Sequence, residues 1–216
     1  MDISLRQPDG LTADCSKSMV TKHLDLGCGA RPRNPYNRDE VHAVDLAAPL
    51  GMASHVFRQA NLSLEPIPHL DSTFDSVSAF DFLEHIPRVL PTADGRSTRF
   101  PFVELMNEIH RILKPDGLFY ALTPAYPHSA SFHDPTHVNT ITKGTSGYFC
   151  GEPPLARMYG YAGSFKALRN EWALLPEDFV PGTALGLRRK LRRWRLRRAG
   201  RLSHLVWEFA CIKGAP

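Results

Sequence analysis

The stretch His23-Leu24-Asp25-Leu26-Gly27-Cys28-Gly29-Ala30 decides how the rest of the chain is read. An apolar run that carries an acid near its end and breaks into Gly-x-Gly predicts a buried strand followed by a sharp turn. Glycine at 27 and 29 lets the backbone turn and lets a ligand come close where a Cβ would intrude, while Asp25 offers a carboxylate. Taken alone, the pattern also fits a plain tight turn after a core strand. Val41-His42-Ala43-Val44-Asp45 adds a second short apolar strand ending in an acid, about 20 residues after the glycines, where nucleoside-binding α/β folds place a ribose-binding carboxylate. The intervening Arg31-Pro32-Arg33-Asn34-Pro35 lacks a third glycine and starts a helix poorly, so a pyrophosphate cradle is not expected.

Further strands read at 22–26, 41–45, near 55–59, 74–80 and 118–122, with a helix over 102–113. In that helix Leu105, Ile109, Ile112 and Leu113 recur at helical spacing, and Lys114-Pro115-Asp116-Gly117 ends it with a turn. Alternating strands and helices predict a parallel sheet covered on both faces. Beyond Pro124 the pattern becomes loop-rich, then gives two strand-like runs, 165–175 and 204–213, around a cationic helix.

With these motifs in order, the chain resembles the class I S-adenosylmethionine-dependent methyltransferases of the type 11 kind, from His23 to at least Pro124. "HLDLGCGA" is similar to their first motif, "HAVDL" to the second, "ANL" at 60–62 to the third, "FDSVSAFDFLEHI" at 74–86 to the fourth, and "ELMNEIHRILKPDGLFYALTP" at 104–124 to the helix and strand after it. The resemblance implies a Rossmann-like, doubly wound, mostly parallel seven-stranded sheet with an antiparallel edge strand, in three α/β/α layers. It implies S-adenosyl-L-methionine as cofactor. Asp25, Gly27, Cys28 and Gly29 would hold its methionine end, Asp45 its ribose hydroxyls and Leu46 its adenine. Asn61, with Leu62 beside it, would meet the adenine amino group, an amide carbonyl replacing the usual carboxylate. Phe80 and Asp81 would stand where cofactor and acceptor pockets meet.

Composition fits one domain. The chain has 216 residues, 43% of them hydrophobic, enough for a core without disulfides or metals. The reading is a single methyltransferase domain over 1–216, with an acceptor lid at about 125–163 and a basic helix at about 184–201. Residues 1–20 carry no apolar run of signal-peptide length and no stretch approaches a membrane span, so the expected location is cytoplasmic. Cys15, Cys28, Cys150 and Cys211 are scattered, as reduced thiols are, with Cys28 a small residue in the glycine loop.

A sulfonium methyl is already activated, so the protein's work is to align an acceptor and exclude water; a base is needed for a hydroxyl or a protonated amine. His133-Asp134-Pro135-Thr136-His137-Val138-Asn139 lies where the family places its lid. Three readings stay open: acceptor binding with His133 or His137 as general base, a divalent metal whose ligand set is incomplete within the lid, and local turn capping. Glu84-His85 sits in the same zone, where His85 either takes part in the chemistry or braces the pocket. Tyr126, Tyr148 and Phe149 line an acceptor pocket or pack in the core.

Leu187-Arg201, "LRRKLRRWRLRRAGR", has nine Lys or Arg in 15 residues and no acid. Residues 182–216 carry +9 and residues 1–181 carry −5, so the overall +4 hides a dipolar chain. As an amphipathic helix, Arg188–Arg201 is a solvated connector, an anchor on an anionic membrane surface, or a contact for nucleic acid, which no recognition module accompanies. The function expected is methyl transfer to a small-molecule or glycan acceptor, at a hydroxyl oxygen. The lid "DPTHVNTIT" is similar to lids in proteins of bacterial surface-polysaccharide pathways, which is the warrant for a sugar. An RNA or protein methyltransferase using the arginine helix, and a non-catalytic scaffold docking on membrane or nucleic acid, are the alternatives.

Overall fold

A computed structural model describes residues 19–48, 56–182 and 186–214. Cys15 and the expected helix start at 184 lie outside the described residues. Seven strands form one sheet. They are β1 (Lys22–Leu26), β2 (Glu40–Asp45), β3 (Phe57–Gln59), β4 (Phe74–Phe80), β7 (Leu113–Pro124), β8 (Phe165–Trp172) and β9 (His204–Cys211). A two-stranded ribbon of β5 (Leu90–Pro91) and β6 (Thr98–Arg99) precedes helix α1 (Pro101–Ile112). The lid carries two single-turn helices, α2 (Ala130–His133) and α3 (Gly147–Cys150), and the basic helix is α4 (Leu187–Arg198).

The sheet order is β3-β2-β1-β4-β7-β9-β8. The first five strands pair in parallel, and β9 is antiparallel to both β7 and β8. The antiparallel pair therefore sits at the sheet edge, with the reversed strand β9 one place in. The expected turn at 114–117 is a bulge inside a longer strand: Leu113 pairs with Phe74 and Leu118 with Ser76, so four residues of β7 bow out of the ladder. Asp116, at φ +60°, turns the bulge, and Lys114 Nζ holds it to Asp75 at 2.8 Å.

Alternation along the strands sends Leu24, Leu26, Val77, Ala79, Phe119 and Ala121 to one face, where Leu105, Met106, Ile109 and Ile112 of α1 complete the main core. The other face is built differently. His23, Asp25, Ser76 and Ser78 are all buried there, and burial of polar groups requires partners. They form a chain: Arg38 Nε donates to Ser76 Oγ, Ser76 Oγ bonds His23 Nδ1 at 2.8 Å, His23 Nε2 bonds Ser78 Oγ at 2.9 Å, and Ser78 Oγ donates to Asp25 Oδ1 at 2.6 Å. Because Ser78 spends its proton on Asp25, it accepts from His23 Nε2, and neutral His23 accepts from Ser76 through Nδ1. Burial pushes His23 down to about 3 and Asp25 up to about 6.

The segment between β1 and β2 covers this polar face without forming a helix, as its prolines predict. Arg33 stacks over the Phe80 ring at 4.6 Å, and Tyr36 meets Tyr120 edge-on and donates to Glu208. The Rossmann-like architecture is thus present, with its second layer near β1 and β4 made of loop.

Helix α4 rests on the domain through charge. Arg193 pairs with the fully buried Asp178 at 2.9 Å and with Glu171, and Arg192 with Glu177 at 3.0 Å. Arg193 and Leu196 are half-buried, whereas Leu187, Leu191 and Trp194 are exposed. At one residue per 100°, those three share the face opposite Leu196. Among the described residues, no helix is long and apolar enough to cross a membrane.

Candidate functional site

Parallel strands end at a common edge, and a crevice opens where the strand order reverses. Here the chain leaves β1 for β2 and β3, then returns to β4 on the other side of β1. The glycine turn, Asp45, Asn61 and Phe80-Asp81-Phe82 all stand on that edge.

Asp45 is the best-formed part of it. One oxygen accepts from Gly29 N at 2.8 Å and the other from Leu46 N at 2.6 Å, which fixes the carboxylate at the end of β2 with lone pairs to spare. Gly29 has φ +55°, and a Cβ there would meet nothing within 4 Å, so its outer side is open space. Gly27 also has a positive φ, +63°, but its free side is filled by the Phe82 ring. Leu46 is exposed, an apolar surface beside the Asp45 carboxylate. Asn61 Oδ1 accepts from Ser63 N at 3.1 Å in a local turn and is half-buried at the edge. Open space at Gly29, a fixed carboxylate and an uncovered apolar residue fit a nucleoside with a polar ribose and a flat base.

Four of the expected residues have buried side chains. Asp25 is 1% exposed, with Ser78 and the Arg33 amide on its two oxygens, so it holds the loop from inside and does not reach the rim. Cys28 packs on Ala43 and Phe57, its thiol pushed up to about 11 by burial. Leu62 belongs to the main core. Phe80 is buried on the polar face's apolar end with Tyr120 and Leu122. Strand alternation points Asp25 and Phe80 inward, whereas Cys28 and Leu62 lie in the turns just beyond β1 and β3 and pack against the sheet from there.

A second constellation forms where the short turn Leu83–His85 meets the lid. His85 and His137 rings pack edge to face, centroids 4.8 Å apart, and His137 Nε2 is 3.9 Å from Glu84 Oε1. Glu84 is 1% exposed; its Oε2 accepts from Thr123 at 2.9 Å, while Oε1 has no hydrogen-bond partner. Burial raises its carboxyl to about 7. Thr136 Oγ1 donates to Asp134 at 2.6 Å and lies 2.9 Å from His85 Nδ1. Val138 and Asn139 amides both donate to Glu84 O, which pins the lid to the turn. His133, exposed at the end of α2, is not brought into this group.

Asp81 lies between the two regions. Its φ is +49°, unusual for a residue with a side chain, and Oδ1 pairs with His204 Nε2 at 2.9 Å. His204, Phe82 and Thr136 are site residues that sequence reasoning missed. No spacing rule points to a histidine at the start of β9, whereas Phe82 lies inside the fourth motif, next to the expected Asp81.

Beside the lid lies a cleft of about 760 Å³ lined by Arg88, Phe100, Phe102, Thr140, Tyr148 and Tyr159 among others. Arg88 ties it to the histidine cluster, donating through Nε to Asn139 Oδ1 at 2.6 Å and through Nη2 to the Thr140 carbonyl. Tyr148 is a cleft residue, Phe149 serves cleft and core alike, and Tyr126 is exposed at the lid's start.

A family model described as a methyltransferase domain matches residues 6–206. Among curated proteins none matches. Solved structures with the same fold include a candidate sarcosine dimethylglycine methyltransferase from Galdieria sulphuraria, 17% identical, covering 91% of this chain and 79% of that one at TM-score 0.53. A chain of the Haloferax volcanii complex between the Trm112 methyltransferase activator and a candidate methyltransferase is 15% identical, with 90% and 84% covered at 0.52. A candidate S-adenosylmethionine-dependent methyltransferase from Listeria monocytogenes is 14% identical, with 90% and 92% covered at 0.50.

Proposed function

The chain belongs to the methyltransferase-domain family, with S-adenosylmethionine as its methyl donor, and on that premise we propose that it methylates a hydroxyl oxygen of a small-molecule or glycan acceptor. When bound, the donor supplies a methyl group already activated on a sulfonium, so acceptor alignment and water exclusion are left to the protein. Asp45 would take the ribose, Leu46 and Asn61 the adenine, and the open side of Gly29 the methionine end.

One observation carries the acceptor reading. The lid imidazole brought to the turn after β4, His137, meets His85 and the buried Glu84 next to Asp81, where the donor rim ends. A hydroxyl that must lose its proton suits a cluster of two imidazoles and a carboxylate. The adjoining cleft suits a ring, because Phe100, Tyr148 and Tyr159 offer faces while Thr140, Thr142 and Arg88 offer polar groups. The test is transfer of labelled methyl to sugar nucleotides and glycan fragments, followed by mapping of the labelled atom. Label on nitrogen or on RNA would replace this reading.

A second surface has its own support. The outward stripe of Leu187, Leu191 and Trp194, flanked by Arg188, Arg195 and Arg198, suits a negatively charged lipid surface, with Trp194 at the headgroup level. An enzyme held there, on the cytoplasmic face, would meet lipid-linked glycans of polysaccharide assembly.

A further inference from the structure

We infer that Glu84, His85 and His137 form a binding site for one divalent first-row cation, of the Zn2+ or Mn2+ kind, that holds the acceptor hydroxyl. The inference rests on the reading that the acceptor oxygen is presented to this cluster, and it says what does the holding.

The geometry is close to a coordination site. Each residue offers one ligand atom, and the three atoms lie within 4.8 Å of one another. Metal bonds of about 2.0 to 2.2 Å place neighbouring ligand atoms roughly 3 to 3.5 Å apart, so small side-chain rotations close the set. Two imidazoles and one carboxylate fill one side of a cation and leave positions open for oxygens of an acceptor. The lid alone lacked a complete ligand set; the turn after β4 supplies the other two members.

Each group is also prepared from behind. Thr136 Oγ1 gives its single proton to Asp134, so it accepts from His85 Nδ1, and Nε2 of neutral His85 is left with a free lone pair. Hydrogen-bonded partners that fix a ligand histidine in this way are the rule at metal sites. Glu84 is held through Oε2 by Thr123, which leaves Oε1 for the cation. Two buried atoms, Glu84 Oε1 and His137 Nδ1, have no hydrogen-bond partner. Buried polar atoms left unpaired are costly, and the 3.9 Å between Glu84 Oε1 and His137 Nε2 is too long for a direct hydrogen bond. A cation between the three residues satisfies the carboxylate oxygen and explains why two imidazoles face a buried acid.

The experiment strips the full chain with EDTA and titrates it with Zn2+ and, separately, Mn2+ by calorimetry, with S-adenosylmethionine titrated in parallel. The expected result is one equivalent of cation, at least tenfold weaker binding in His85→Ala and His137→Ala, and unchanged donor affinity in all. Thr136→Val, at an exposed residue that is no ligand, should weaken the cation about tenfold through His85, and it stands in if a cluster variant fails to fold. A stripped chain that binds donor but no cation overturns the inference, as do histidine variants that bind cation like the parent. A chain that binds cation but no donor overturns the reading of the donor rim instead.

Discussion

The ring of Phe82 lies so close over Gly27 that a Cβ at Gly27 would stand 2.4 Å from Phe82 Cδ2. The two glycines of one turn therefore exist for different reasons. Gly27 is demanded by the protein's own packing, whereas Gly29 borders open space on the ligand side.

Gly27→Ala should accordingly cost about 2 to 4 kcal/mol of stability, since a positive φ and a filled neighbour act together. Gly29→Ala should cost only about 1 kcal/mol, the price of its φ. Urea denaturation of both variants checks the contrast; equal losses would mean that Phe82 moves aside freely.

Asp45→Ala should weaken S-adenosylmethionine binding by about 1 to 3 kcal/mol, because a hydrogen-bonding carboxylate is lost and the Gly29 and Leu46 amides lose their anchor. Calorimetry reads this directly. Affinity equal to that of the parent would remove the ribose assignment.

His137→Ala should lower turnover by roughly 100-fold or more, as loss of a group acting on the acceptor does, with donor affinity unchanged. His133→Ala should leave turnover near the parent's, since the structure keeps it apart from the cluster. Steady-state rates on one labelled acceptor compare the two.

Replacing Arg188, Arg195 and Arg198 with Gln should weaken binding to anionic liposomes by about 1 kcal/mol per residue. Arg192 and Arg193 are left in place because they seat α4 on Glu177, Asp178 and Glu171. Co-sedimentation that does not change would assign the helix to another partner.

The polar chain under β1 predicts a pH dependence. His23, held neutral by burial with a value near 3, gains a proton far more readily when unfolded. The unfolded state binds more protons below about 6.5, so stability contributed by neutral His23 is lost as pH falls from there toward about 3. Asp25, raised to about 6, works the other way: the folded state keeps its proton longer, so its share declines as pH rises from about 4 to 6. His23→Gln should flatten the acid side of a plot of urea midpoint against pH, and an unaltered slope would contradict the buried neutral imidazole.

Strand ends and their acids were legible in the sequence because alternating apolar residues and Gly-x-Gly are local signals. β1, β2, β4 and α1 stand within a residue or two of where periodicity puts them. Side-chain direction was less legible. Asp25 carries a family motif yet points inward, because one step along a strand exchanges rim for core, and Leu62 turns into the core from the loop after β3. The Glu84-His85-His137 cluster joins residues about 50 positions apart through the Glu84 carbonyl's bonds to Val138 and Asn139, and no local pattern encodes such a bond. The absence of a helix between β1 and β2 was readable from Pro32 and Pro35; the polar chain that this loop covers was not.

The position of β9 bears on how the chain is made. Ribosomes deliver residues in order, yet β9, delivered after the other six strands of this sheet, is an inner one, and β8 pairs in the sheet only with it. Until 204–211 leave the ribosome, β7 keeps an open edge and β8 has no place to pair. The half carrying the donor rim can assemble early, but sheet closure, and with it the Asp81–His204 contact, waits for β9.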